Sequence, residues 1–254
     1  MLLDIQNLGK RFAGLEALRG VTLSIGAGRT YGVIGPNGAG KTTLFNAISG
    51  FLPASTGTIL FEGRDITRSK PHDIARLGIS RTYQLVRPFY ELNVLENVKV
   101  GILFGRPKSR PAPSDLDAEA HSYLERAGLD HKSGQIVTEL NLGERKRLEI
   151  ARALAATPKL IMFDEVLAGL NPTEIVQAVE LLQSLRAGGI TVLMIEHNMQ
   201  AIMNACNHIF VLHHGELIAQ GSPAQVSADP SVIEAYLGRK DLRLQRRKRA
   251  TANA

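Results

Sequence analysis

The chain has 254 residues, 44% apolar and 21% charged, a balance that suits a folded protein with a sizeable core and excludes a disordered or fibrous one. A single cysteine, Cys206, rules out an internal disulfide, and no apolar run approaches the ~18 residues that span a bilayer. The net charge of +6 sits almost wholly in the stretch 239–249, R-K-D-L-R-L-Q-R-R-K-R, so the rest is close to neutral and no nucleic-acid partner is expected.

Met1 leads straight into L-L-D-I-Q-N-L without a basic leader, so no signal peptide is expected. Leu2–Leu8 alternates enough for an edge strand, and Leu18–Ile25 alternates as an antiparallel strand. Between them Phe12 stands in a polar stretch, where it can stack on a nucleotide base or simply join the core. Thr30–Ile34 then reads as a short buried strand, followed by the stretch G-P-N-G-A-G-K-T-T and a helix over Lys41–Ser49 that Gly50 stops.

This strand–loop–helix order is that of a phosphate-binding loop. Gly35, Pro36, Asn37, Gly38, Ala39 and Gly40 form a backbone nest whose N–H groups point inward at an anion. Lys41 reaches the β- and γ-phosphates, the Thr42 hydroxyl can ligate Mg²⁺, and Thr43 continues the first turn. The helix adds its positive dipole end at the same place. Binding of a nucleoside triphosphate is expected.

Farther on, Thr58–Phe61 reads as a strand before a turn, Pro71–Leu77 as a short helix, and Ile79–Tyr83 as a strand that ends at Gln84. Asn93 caps a helix reaching Leu103, and Asp115–Ala127 is another. The stretch 105–114, with three prolines, is a loop between them. Gly143–Ala156 is a basic-faced helix, and Pro172–Leu185 is a helix closed by Gly188-Gly189. Lys159–Phe163 and Ile190–Ile195 are buried strands of the parallel kind. Asn198–Asn204 is helical, and Ile209–Ala219 reads as a hairpin. Alternating strands and helices make the fold α/β and doubly wound, with an antiparallel patch near the start.

In such a sheet ligands sit beyond the carboxyl ends of the strands. Ile34 leads into the phosphate loop, Phe163 into Asp164-Glu165 and Ile195 into Glu196-His197. Four apolar residues followed by Asp form the pattern whose carboxylate, here Asp164, holds Mg²⁺. Glu165 can orient or deprotonate the attacking water.

These motifs resemble the nucleotide-binding subunit of an ABC transporter over residues 1 to about 238, with R-T-Y-Q, L-N-L-G-E, L-I-M-F-D-E and I-E-H in that family's order. The resemblance implies a P-loop ATPase core with a parallel sheet, an antiparallel β subdomain and a helical subdomain over about 85–157. Beyond it, the basic stretch over 239–254 reads as a disordered, solvated tail or as one drawn to an anionic membrane surface or a partner's acidic loop. The resemblance makes Phe12 a base-stacking aromatic, Gln84 a Q-loop residue that ligates the ion and assists catalysis, Ala168–Asn171 a D-loop, and His197 a catalytic switch histidine. Asn141, Gly143 and Glu144 become the signature that binds ATP held by a second subunit. Here Asn141 stands for the family's serine, and Glu144 for its glutamine, which brings a like charge towards the triphosphate.

Within the family the stretches R-T-Y-Q-L-V-R-P-F-Y-E-L-N-V-L-E-N-V and A-G-L-N-P-T-E are similar to branched-chain amino-acid importer ATPases, as is the ending G-S-P-A-Q-V-S-A-D-P-S-V-I-E-A-Y-L-G. Implied partners are permease subunits, a second ATPase subunit and an extracytoplasmic solute-binding protein. The implied location is peripheral, on the cytoplasmic face of a bacterial inner membrane. The alternatives are a regulatory cassette that needs a paired ATPase and a soluble ABC ATPase outside transport. A GTPase would need an N/T-K-x-D motif, and none occurs.

Overall fold

The computed structural model describes residues 1–83, 87–106 and 113–236. Gln84, most of the proline-rich loop and the basic tail lie outside the described residues. Two sheets organise the chain. The first is antiparallel and joins β1 (Leu3–Phe12), β2 (Leu15–Ile25), β4 (Thr56–Phe61) and β5 (Arg64–Asp65) in the order β2-β1-β4-β5. The first strand is therefore interior rather than an edge. Its residues Leu3, Ile5 and, past a register shift, Leu8 are fully buried, and it pairs with β2 on one side and β4 on the other.

The second sheet contains β3 (Thr30–Ile34), β6 (Ile79–Arg81), β7 (Leu160–Asp164), β8 (Thr191–Ile195), β9 (His208–His213) and β10 (Glu216–Gly221), in the order β10-β9-β3-β8-β7-β6. All neighbours are parallel except β10, which closes the predicted hairpin with β9. Every residue of β3, β7 and β8 is buried, as continuous apolar runs covered on both faces should be.

The pleat of this sheet divides the core in two. Leu160, Met162, Leu193, Ile195, Phe210 and Leu212 face α1 (Lys41–Ile48) and the antiparallel sheet. Their neighbours Ile161, Phe163, Val192, Met194, Ile209 and Val211 face the opposite core, built from α3 (Val94–Gly105), α4 (Leu116–Arg126), α5 (Leu142–Ala155), α6 (Pro172–Ala187) and α7 (Met199–Ala205). Two short helices, α2 (Pro71–Leu77) and α8 (Pro223–Ala228), complete the fold. Period-two alternation thus gives each strand two apolar faces and fixes its register from both sides.

The cap expected at Asn93 is present, and α5 and α6 begin in the same way. In each, an Asn at the N-cap and a Glu three residues on form reciprocal hydrogen bonds, Asn93 with Glu96, Asn141 with Glu144 and Asn171 with Glu174. Asp115 caps α4 through Asp117 and Ala118. Because β3, β8 and β7 are consecutive neighbours, the three predicted strand ends lie side by side, with Glu196-His197 in the middle.

Candidate nucleotide-binding site

The loop between β3 and α1 is forced to be glycine at two places. A Cβ on Gly35 would lie 2.1 Å from the carbonyl oxygen of Leu212, which no backbone there could tolerate. Gly40 caps α1 at φ 102°, a left-handed conformation, and a Cβ there would meet the Ala17 carbonyl at 2.6 Å. No side chain caps α1 and its first turn carries no acid, so its leading amides remain available to an anion.

Lys41 is buried, and its Nζ donates to the carbonyls of Gly35 at 2.6 Å and Pro36 at 3.0 Å. Burial pulls its ammonium below the ordinary range, while Glu165 and Asp164 push it back up. A phosphate tail offers this cation stronger acceptors than two neutral carbonyls.

The cleft above the loop has a volume of about 530 Å³, within the usual range for small-molecule sites. It is lined by Phe12, by all residues from Asn37 to Thr43, and by Glu165 and His197. The Phe12 ring is 44% exposed, with the Lys10 ammonium 5.1 Å from its centroid. It belongs to the end of β1 rather than to a linker, which presents the ring at the cleft edge.

Asp164 does not line the cleft; it is the buried last residue of β7, and its Oδ2 accepts from Arg81 Nη2 at 2.7 Å. Arg81 is itself anchored to Asn46 at 2.8 Å and Ser49 at 2.9 Å, so β6, β7 and α1 are tied together through one guanidinium. Glu165 follows with φ 56°, and its Oε1 lies 2.9 Å from His197 Nε2. When the carboxylate is ionised that nitrogen is the donor.

The predicted signature residues are elsewhere. Asn141, Gly143 and Glu144 open α5 and do not line this cleft. The like charge expected of Glu144 is also tempered. Its Oε2 accepts from the Asn141 N–H at 2.9 Å and its Oε1 pairs with Lys132 at 2.6 Å. Burial alone would raise this carboxyl, but Lys132 and the Asn141 amide outweigh it and hold it below its ordinary value.

Arg81, which holds Asp164, went unseen in the sequence, and so did Glu149 and Arg152 of α5, which line the neighbouring groove rather than this cleft. Glu149 accepts the Tyr83 N–H at 2.9 Å, and Arg152 donates to the Arg87 carbonyl at 2.9 Å and lies 4.8 Å from the Phe89 ring centre. Burial pushes the Glu149 carboxyl up to about 7. These contacts join segments 60 residues or more apart in the chain, and the only local trace of them is polar residues interrupting the apolar face of α5.

The family model described as "ABC transporter" matches residues 18–168, and one described as "Branched-chain amino acid ATP-binding cassette transporter" matches 216–241. A probable branched-chain amino acid transport ATP-binding protein, LivG, of Archaeoglobus fulgidus is 37% identical over 252 residues, covering 96% of this chain and 98% of that protein. The high-affinity branched-chain amino acid transport ATP-binding protein LivG of Escherichia coli K12 is 39% identical, covering 93% and 98%. The crystal structure of the ADP conformation of MJ1267, an ATP-binding cassette of an ABC transporter, superposes with a TM-score of 0.84 at 37% identity, covering 93% of this chain and 98% of that one. Phosphate loop, strand-end carboxylates and fold thus agree with sequence kinship along nearly the whole chain, which belongs to the ABC transporter family as one of its ATP-hydrolysing cassettes.

Proposed function

We propose that this chain powers import of a branched-chain amino acid or a related small polar solute, with Glu165 as the base that activates water for ATP hydrolysis. The observation that carries the catalytic part is the Glu165–His197 pair at 2.9 Å, set in one cleft with Lys41 and the leading amides of α1. The amides and Lys41 grip the triphosphate, and Phe12 offers a face to the base. Glu165 takes the proton from the attacking water, while His197 holds its carboxylate in place.

Thr42 and Asp164 supply a hydroxyl and a carboxylate, the hard oxygen donors that Mg²⁺ takes, and Gln84 is the third proposed donor. The ion, when bound, offsets phosphate charge.

Asn141, Gly143 and Glu144 open a different helix, so they complete an ATP site only across a pair of cassettes. Residues 1–238 form the cassette, with 85–157 as its helical part. The exposed rings of Phe51 and Phe104, with Tyr83, border a groove between α3, α5 and β6 that suits a permease segment. Among the described residues no helix is long and apolar enough to cross a membrane, so permease subunits must carry the solute. A solute-binding protein delivers it outside, and the chain works from the cytoplasmic face. Two cassettes closing on ATP and parting after hydrolysis would drive the permease.

Glu165→Gln tests the assignment. Hydrolysis should fall about 10²-fold or more while ATP binding persists, because the amide accepts no proton. Near-normal turnover would remove Glu165 from the role.

A further inference from the structure

Two consecutive residues at the end of β8 diverge. His197 reaches the Glu165 carboxylate from the cleft side, whereas Glu196 turns inward and is only 4% exposed. Its Oε1 accepts the N–H of Leu167 at 2.7 Å, two residues past Glu165. That hydrogen bond is buried and spans 29 positions of sequence.

The turn it holds needs holding. Glu165 sits at φ 56°, a conformation that residues with a side chain rarely adopt without support. Its N–H donates to the Ile195 carbonyl at 2.9 Å, and its carbonyl accepts from Ala168 N–H at 3.2 Å. A second buried charge completes the support. Lys146 of α5 is 5% exposed, and its Nζ donates to the carbonyl of Ala168 and, at 3.5 Å, to that of Glu165. Burial pulls the Lys146 ammonium below its ordinary range, and Glu196 is the strongest of the carboxylates opposing that.

We propose that Glu196 and Lys146 are positioning residues for hydrolysis, an inward-facing carboxyl and ammonium that hold turn 165–168 by its Leu167 amide and its carbonyls and thereby aim the Glu165 carboxylate into the cleft. The inference rests on Glu165 being the base assigned above. A lone buried charge is costly, and a hydroxyl could accept one amide more cheaply. Two opposite charges reaching one turn from separate elements, β8 and α5, are instead what fixes its orientation from two directions. Burial pushes the Glu196 carboxyl up to about 7, with the Leu167 amide pulling the other way. Its oxygen accepts in either protonation state, so an amide is a fair substitute for it.

The test compares Glu196→Ala, Glu196→Gln and Lys146→Met in the full-length chain, alone and combined with Glu165→Gln. Small displacements of a reacting group cost about 10²-fold, so Glu196→Ala should lower kcat on that scale and leave the KM for ATP within about twofold. Lys146→Met should lower kcat in the same direction. Glu196→Gln, which keeps an oxygen for the Leu167 N–H, should recover turnover to within about fivefold of wild type. Hydrogen–deuterium exchange over 165–168 should rise in Glu196→Ala and stay low in Glu196→Gln. In the Glu165→Gln background, Glu196→Ala should cost no further turnover, because both losses act through one carboxylate. Unchanged kcat in Glu196→Ala, a KM rising in step with the fall in kcat, no rescue by Gln, or losses that add in full would each overturn the proposal. Normal turnover in Glu165→Gln alone is the distinct result that overturns the base assignment first and this inference with it.

Discussion

The first turns of α1 and α5 are built in opposite ways from the same orphan amides. At α1 the cap is Gly40, which supplies no side-chain acceptor, and Lys41 adds a cation next to the open donors. At α5 the turn is closed on itself, with Asn141 Oδ1 accepting from Glu144 N–H and Glu144 Oε2 from Asn141 N–H, each at 2.9 Å. Lys132 then takes the remaining carboxylate oxygen at 2.6 Å. Four N–H groups start every helix without a partner inside it, and a sequence either spends its own side chains on them or leaves them for a ligand. The difference leaves the first-turn amides of α1 without a side-chain acceptor, whereas α5 spends Asn141 and Glu144 on two N–H groups at its own start. What α5 can still offer a phosphate is the free NH₂ of the Asn141 amide, whose oxygen is already engaged, and the first-turn N–H groups of Leu142 and Gly143, which the capping box does not use.

Lys41→Ala strikes the open end of this comparison and should have the largest effect. Removing a charge-assisted contact to phosphate should weaken ATP binding about 10²-fold by titration calorimetry, since such bonds contribute ~3 kcal/mol. Unchanged affinity would mean that the first turn of α1 does not grip the phosphates. Asn141→Ala strikes the closed end. Loss of an N-cap should cost about 1 kcal/mol, read by scanning calorimetry as a fall of roughly 2–4 °C in Tm for a chain of this size. No change in Tm would show that water replaces the Asn141 oxygen without cost.

These two helix beginnings also mark what could be read without coordinates. Most local elements were legible, although β1 runs on to Phe12 and β2 begins at Leu15, beyond the alternating stretches read for them. The strand–glycine–helix order placed the loop between β3 and α1, the apolar runs placed β7 and β8, and Asn93 and Asp115 marked the starts of their helices to within a residue. The first strand was read as an edge because alternation reveals faces but not neighbours, and only pairing with β4 shows it to be interior. Arg81 carries no periodic signal, yet it reaches Asp164 from 83 positions away. Glu196 read as one more polar residue at a strand end, since nothing in I-E-H tells which of two adjacent side chains turns inward. The charge on Glu144 was visible but its partner was not, because Lys132 lies in a different element whose approach to α5 depends on the whole helical core.

Glu144→Gln separates charge from geometry at the closed helix start and should have the smallest effect. Glutamine keeps an oxygen for the Asn141 N–H and gives up only the ion pair with Lys132, whose side chain is 22% exposed beside a carboxylate 19% exposed. Such partly solvated pairs contribute about 0.5 kcal/mol, so a Tm lower by roughly 1–2 °C at pH 7 is expected. The folded state holds the Glu144 carboxyl below its ordinary value, so its contribution is fully present above the unfolded-state pKa and is lost as pH falls through the folded one. The gap between wild type and variant should accordingly narrow from pH 7 to pH 4, and narrow again at high salt. Because Lys132 already neutralises this carboxylate, ATP turnover should change less than about threefold, well short of the tenfold that 1.4 kcal/mol of unscreened repulsion would release. A tenfold gain in the variant would show instead that the charge of Glu144 reaches the triphosphate and that the pair with Lys132 opens when two cassettes close.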